Sequence, residues 1–288
     1  MQQCELCPRG CKIDRTQTVG YCGVQSNLKV ARAGLHFGEE PCISGTKGSG
    51  TVFFSGCSLK CVMCQNFDIS HDTFGKEITT SRLAEIFREL ENMGAHNINL
   101  VTPTHYRNEI AKSLEIYKPN LPLVCNTSGY ETLESICDNL YDIYIFDLKF
   151  FDGDKSTKYA SCKNYFDVAA KALKKAYDII GKPIFDQEGI MQRGIIVRHL
   201  ILPQSTNDAI KIIDWLVENT PDIVFSLMSQ YVPMYRASEF KEINRKITKR
   251  EYNKVVEHCL KYNFIETYVQ KLTSATKTMI PSFDLTGI

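Results

Sequence analysis

From residue 51 onward the chain repeats one pattern six times, a short β-branched or aromatic run followed by an amphipathic stretch. The runs are TVFFS (51–55), NINLVT (97–102), PLVCNT (122–127), IYIFDLKF (143–150), IIVRHLIL (195–202) and VFSLMSQY (224–231), and each reads as a buried strand. The stretches between and after them predict helices over 81–94, 107–116, 131–138, 166–180, 206–218 and 249–261. In the first of these Leu83, Ile86, Phe87, Leu90 and Met93 recur at helical spacing and Gly94 is a stop signal. Six β-then-α units in a row predict an α/β fold on a parallel sheet, either open and doubly wound or a full or partial (β/α) barrel.

Such a sheet binds ligands at the carboxyl ends of its strands. Those ends carry Thr102-Pro103-Thr104-His105, Asn126-Thr127-Ser128-Gly129, Asp147-Leu148-Lys149 and Arg198-His199. Asn-Thr-Ser-Gly is also a sound turn and helix-cap sequence, and His105 reads equally as a proton-transfer group or as a cap of the next helix. Lys149 is more specific, because a lysine at the end of an otherwise buried strand needs a partner or a ligand.

Composition narrows the partners. Lys plus Arg number 34 against 33 acidic residues, so charge gives no argument for nucleic acid or an anionic membrane surface, and a small-molecule, peptide or protein substrate is expected. MQQCELCPRG lacks the basic start and apolar run of a signal peptide, and no stretch approaches a membrane span; a cytoplasmic location is expected. Twelve cysteines there do not read as a disulfide framework. Cys4, Cys7, Cys11, Cys22, Cys42, Cys57, Cys61 and Cys64 crowd the first quarter and suggest metal chemistry, whereas Cys125, Cys137, Cys162 and Cys259 are scattered like small core residues.

CSLKCVMC (57–64) spaces three cysteines C-x3-C-x2-C in the loop after the first predicted strand. Three thiolates can hold three irons of a [4Fe-4S] cluster and leave the fourth iron open; zinc is the alternative, and the lack of a near fourth ligand favours the cluster. CELCPRGCKIDRTQTVGYC supplies Cys4, Cys7, Cys11 and Cys22 in a segment too polar for a core of its own, a closed set that fits a second iron–sulfur cluster or a zinc knot. GTKGSG (45–50) reads as a linker, since no nucleotide-loop Lys-Ser/Thr follows.

The triplet after a first strand resembles the signature of the radical S-adenosylmethionine (SAM) superfamily. With GTVFFSGCSLKCVMCQN, Asp147-Leu148-Lys149 and VRHLILP (197–203), the chain is similar over most of its length to the branch of pyruvate formate-lyase activating enzyme and its relatives with a Cys-rich N-terminus. The resemblance implies a partial (β/α)6 TIM-like barrel at 49–265, with a Cys-rich metal-binding extension at 1–48 and a C-terminal tail packing on the barrel at 266–288. It implies that Cys57, Cys61 and Cys64 bind the catalytic cluster, with Met63 near the adenine and Asn66 closing the motif. Asn126, Thr127 and Ser128 would enclose SAM, Arg198 would contact its methionine carboxylate or ribose, and Asp147 and Lys149 would sit beside cofactor and substrate. The activity implied is reductive cleavage of SAM to a 5′-deoxyadenosyl radical that abstracts hydrogen from a substrate. That substrate is a glycyl-radical enzyme, another peptide or a small metabolite, and the electron donor a flavodoxin or ferredoxin. One departure stands out: the branch carries Gly-Gly-Glu at the end of its second strand to hold the methionine amino group, and here that stretch is Thr102-Pro103-Thr104-His105. The amino group then falls to Thr102, Thr104, backbone carbonyls or His105. The reading of another class is a noncatalytic iron–sulfur or zinc protein. A carrier wants a fourth cysteine near the triplet, for which Cys42 is the only near candidate.

Overall fold

The computed structural model describes residues 3–275 and 280–288. After an N-terminal segment without helix or strand come β1 (Leu28–His36), α1 (Pro41–Ser44) and β2 (Ser49–Phe54). The cysteine loop leads to α2 (Phe67–Ser70), β3 (Lys76–Ile78), α3 (Thr80–Asn92), β4 (Ile98–Val101) and α4 (Arg107–Ile116). Then follow β5 (Leu123–Thr127), α5 (Leu133–Cys137), β6 (Ile143–Asp147), α6 (Gly153–Ala160) and α7 (Tyr165–Ile180). A short β7 (Ile184–Phe185) pairs antiparallel with β8 (Met191–Leu200), and α8 (Thr206–Asn219), β9 (Val224–Met228), α9 (Lys249–Cys259) and β10 (Glu266–Val269) complete the series.

The strands join in the order β10-β9-β8-β6-β5-β4-β2-β1-β3. From β2 to β10 every neighbouring pair is parallel, and β1 and β3 add an antiparallel margin. The sheet is open, with β10 and β3 at its edges, so the architecture is a partial barrel. Among the described residues it has seven parallel strands rather than the six expected, because β10 pairs with β9. The predicted tail thus begins with a barrel strand. Its residues 276–279, like residues 1–2 of the predicted extension, lie outside the described residues. Farther on, the Leu285 amide donates to Ala31 O at 3.1 Å and Phe283 packs edge-on to Phe53, so the last residues run along β1.

Strand alternation explains the two faces. Val52, Phe54, Leu100, Cys125 and Phe146 point outward under the helices, where α3 lays down Leu83, Ile86, Phe87 and Leu90. Val124, Ile143, Ile145, Ile196 and Val224 point inward and pack on Cys42 and Ile43 of α1. Helix α1 therefore plugs the amino end of the barrel, and each large side chain buried there contributes about 1.5–3 kcal/mol. This revises the expected boundary at residue 48, since residues 28–44 supply a strand and the barrel's plug. It also removes Cys42 from the ligand question: the thiol is 3% exposed in an apolar layer at the end opposite the strand-end loops, and burial pushes it up to about 12. GTKGSG is only in part a linker, because Ser49 and Gly50 open β2; a Cβ on Gly50 would stand 2.9 Å from Asn97 O. Among the described residues no helix is long and apolar enough to cross a membrane.

Candidate active site

Above the apolar plug the barrel encloses a cavity of about 380 Å³, and the cysteine loop forms one wall of it. The loop turns at Gly56, whose φ of +88° suits glycine and whose added Cβ would meet Cys22 O at 2.9 Å. It is pinned from outside by the Val62 amide, which donates to Tyr159 O at 2.9 Å. Cys57, Cys61 and Cys64 all line the cavity. The Leu59 amide donates to Cys57 Sγ at 3.4 Å, and Cys64 Sγ lies 3.2 Å from Ser70 Oγ. Burial pushes the Cys57 thiol up to about 11 and raises Cys61 and Cys64 as well, so metal binding would release their protons.

Met63 and Asn66 extend this wall, and Asn66 Oδ1 is buried without a hydrogen-bond partner among the described residues. Across the cavity stand Thr102, Asn126, Thr127 and Ser128 from the ends of β4 and β5, with Asp147, Lys149 and Arg198 from β6 and β8. Lys149 Nζ pairs with Asp147 Oδ2 at 2.7 Å. Burial pulls the lysine down, but the Asp147 carboxylate beside it outweighs that and holds the ammonium charged. Thr102 adopts φ +60°, a left-handed conformation that is uncommon for a β-branched residue and places strain at the cavity wall.

Two expected site residues do not reach the cavity. Thr104 Oγ1 is turned away to Glu131, which also accepts from Thr127 Oγ1 and from Ser135 Oγ at 3.2 Å. His105 is fully packed: its Nε2 donates to Ser55 O at 2.8 Å, and burial, aided by Arg15 and Lys60, lowers it to about 3. The imidazole is a neutral brace behind the cysteine loop, with neither the position nor the charge of a proton-transfer group toward the cavity. Arg198 does line the cavity, but its guanidinium is engaged by protein carboxylates. Nε donates to Glu40 Oε1 at 2.9 Å, and Nη2 serves both Glu39 and Glu40. Glu39 also accepts from Asn99 Nδ2 at 3.1 Å and Asn126 Nδ2 at 3.5 Å. Sequence reasoning missed Glu39, Glu40 and Glu131. Two glutamates before Pro41 look like a solvated helix start, and only the plug's entry into the barrel makes them interior.

Cys4, Cys7, Cys11 and Cys22 lie outside the cavity, on the far side of the cysteine loop. A Cβ on Gly20 would be 3.3 Å from Cys22 Sγ and 3.9 Å from Cys11 Sγ, and the Tyr21 amide donates to Cys11 Sγ at 3.4 Å. The segment is tied to the loop: the Cys57 amide donates to Cys22 O at 3.2 Å, Arg9 Nε to Ser58 O at 2.8 Å, and Arg15 Nη1 to His105 O. No thiol in the chain is paired as a disulfide. Among the described residues no three His, Cys, Asp or Glu side chains converge as one metal ion requires. With Zn–S bonds of about 2.3 Å a single zinc draws its sulfurs close together, whereas a four-iron cluster spreads them over a larger body. The triplet fits the cluster in donor type, in facing a cavity, and in leaving one side free of protein sulfur.

A family model described as a 4Fe-4S single cluster domain matches residues 43–130, which include the triplet. The uncharacterized protein MJ0674 of Methanocaldococcus jannaschii is 32% identical over 273 residues, covering 91% of this chain and 75% of that protein. Among solved structures, Streptococcus suis SuiB bound to the precursor peptide SuiA aligns with a TM-score of 0.52 at 16% identity, over 76% of this chain and 48% of SuiB. SuiB bound to S-adenosylmethionine aligns with a TM-score of 0.51 at 15% identity, over 76% and 49%. The chain spans about half the length of SuiB, and the likeness is one of fold.

Proposed function

The chain belongs to the family of MJ0674, and from that premise we propose that it is a radical SAM enzyme whose [4Fe-4S] cluster is held by Cys57, Cys61 and Cys64. The observation that carries this reading is the set of three thiols on the wall of a cavity of about 380 Å³, facing the Lys149–Asp147 pair, with no fourth cysteine among the cavity's lining. Reduced and loaded with SAM, such a cluster supplies the electron that splits the sulfonium to methionine and a 5′-deoxyadenosyl radical.

The chain's own residues do the rest. Lys149 offsets the charge of the thiolates and, with Asp147, orients the group nearest the cluster. Met63, Asn66, Asn126 and Ser128 offer apolar surface and hydrogen bonds to the cofactor. The carboxylate absent from the end of β4 is supplied from the plug. Arg198 binds Glu40 through both Nε and Nη2 and Glu39 through Nη2 alone, and Glu39 is the less buried of the two, so the cofactor's amino group is assigned to Glu39.

A peptide or protein is the favoured substrate class. The sheet edge is open, and SuiB, which shares the fold, is bound to a precursor peptide in one of its structures. Activation of a glycyl-radical enzyme is the particular case that the sequence resemblance suggests. We assign Cys4, Cys7, Cys11 and Cys22 to a second metal site, an iron–sulfur cluster or a zinc, because Cys11 and Cys22 both flank Gly20 in a segment too polar for a core of its own. A flavodoxin or ferredoxin would supply electrons in the cytoplasm. The test is anaerobic reconstitution with iron and sulfide, reduction with SAM present, and assay of 5′-deoxyadenosine. Formation that disappears in Cys61→Ala supports the reading. An assembled cluster with unchanged spectra on adding SAM and no deoxyadenosine would refute it, leaving an iron–sulfur protein of another kind.

A further inference from the structure

The three triplet sulfurs have unequal surroundings. Cys57 Sγ receives the Leu59 amide at 3.4 Å, and no hydrogen bond reaches Cys61 Sγ among the described residues. Cys64 Sγ alone meets a side-chain hydroxyl, Ser70 Oγ at 3.2 Å, and that hydroxyl lies 2.9 Å from His71 Nδ1. Ser70 is 7% exposed, and its carbonyl is held by Lys60 Nζ at 2.9 Å. The His71 ring is held against Tyr235, with centroids 4.5 Å apart, and Tyr235 stacks on Phe67 at 5.2 Å. A one-turn helix placed directly after the cysteine loop thus presents an oriented hydroxyl to one sulfur.

We propose that Ser70, oriented by His71, sets the reduction potential of the cluster through Cys64. A thiolate bound to iron has no proton to give, so Ser70 Oγ–H must donate to Cys64 Sγ. The lone pairs of Ser70 are then free to accept from His71 Nδ1–H, which fixes the tautomer of the imidazole. A donor dipole aimed at a ligand sulfur withdraws electron density and stabilises the added electron, so the bond raises the potential. The chain of two bonds polarises the hydroxyl further. Ser70 and His71 are positioning residues here; neither touches substrate.

This inference rests on Cys64 being a ligand of a [4Fe-4S] cluster, and the experiment separates the two. The reconstituted protein without SAM is titrated with reductant under argon and followed by absorbance and by electron paramagnetic resonance, with iron and sulfide measured per chain. Ser70→Ala is expected to assemble the same cluster at a lower potential. Ser70→Thr keeps the hydroxyl and should titrate with wild type, and His71→Phe keeps the ring against Tyr235 and should shift in the same direction by less. A full cluster in Ser70→Ala at the wild-type potential, or at a higher one, overturns the inference while leaving the cluster reading intact. Failure of the wild type to assemble a [4Fe-4S] cluster overturns both.

Discussion

The chain carries two sets of closely spaced cysteines that differ in what stands beside them. Cys57, Cys61 and Cys64 sit on a strand-end loop of the barrel, and their sulfurs face a cavity with a charged lysine opposite. Cys4, Cys7, Cys11 and Cys22 sit in a segment with no helix or strand among the described residues, where Cys7 and Cys22 are buried and Cys11 Sγ accepts from the Tyr21 amide of the same segment. One set is open because a rigid sheet delivers it to a void. The other stands off that void, a closed set in a segment tied to the barrel through Arg9 and Arg15. The two touch through one backbone bond, from the Cys57 amide to the Cys22 carbonyl, so the closed set buttresses the open one.

The largest effect that tests this contrast is on the open set. Cys61→Ala should leave the fold intact, abolish the triplet's cluster and remove all deoxyadenosine formation, while the metal proposed for the N-terminal set remains. Iron analysis and the product assay read both at once. Conversely, Cys7→Ser should remove the metal proposed for the N-terminal set and loosen residues 3–27, because a structural metal would supply the folding free energy of a segment without a core. Faster proteolysis of that segment, with a catalytic cluster that still assembles but is lost sooner on dilution, is the expected result. If Cys7→Ser is as protected as wild type, the segment folds without metal and the contrast fails.

A smaller effect belongs to the opposite wall. Lys149→Met keeps the length of the side chain and removes its charge, and Asp147 is left in the cavity without its partner. The cluster should assemble, and deoxyadenosine formation should fall on the order of 100-fold, as for loss of one preorganised electrostatic contact. Proton release offers a further check. Burial keeps Cys57 protonated up to about 11, against an ordinary value of 9.0, and iron binds the thiolate. Assembly on the triplet must therefore release protons at neutral pH, and iron affinity should rise with pH from about 7 to 9. Affinity that is flat over that range would mean that the thiols are already ionised.

Much of the barrel was legible because its signals are local. Six inward and outward alternations, bounded by turn residues and separated by 3.6-period stretches, can be read from neighbours a few positions apart. What escaped depends on distant partners. LKVARAGLH alternates well enough for a strand, yet it lies within a Cys-rich stretch that reads as an appendage, and only pairing with β2 and β3 makes it part of the sheet. ETYV is four residues long, with Glu266 exposed, and takes its strand character from the edge of β9. The cavity's cysteines, Asp147 and Lys149 follow from their places at strand ends. Glu39 and Glu40 do not, since no local pattern tells that the chain between β1 and β2 dives into the barrel. At the end of β4 the backbone is unusual where the resemblance expects glycine: Thr102 holds φ +60°.

His105 gives the smallest effect and bears most directly on how the two cysteine sets are joined. Its carbonyl accepts from Arg15 of the N-terminal segment, and its Nε2 donates to Ser55, two residues before Cys57. Replacing it with alanine removes a buried ring and leaves the Ser55 carbonyl unpaired, a loss of about 2–3 kcal/mol in unfolding free energy. Glutamine keeps an N–H donor at similar reach and should recover most of that loss. Both variants should still cleave SAM once their clusters are loaded, because the imidazole is neutral and faces away from the cavity. Urea unfolding of the metal-free protein and the deoxyadenosine assay, run on the same preparations, distinguish a brace from a catalyst. Variants of wild-type stability that have both lost deoxyadenosine formation would return His105 to the chemistry and break the assignment made here.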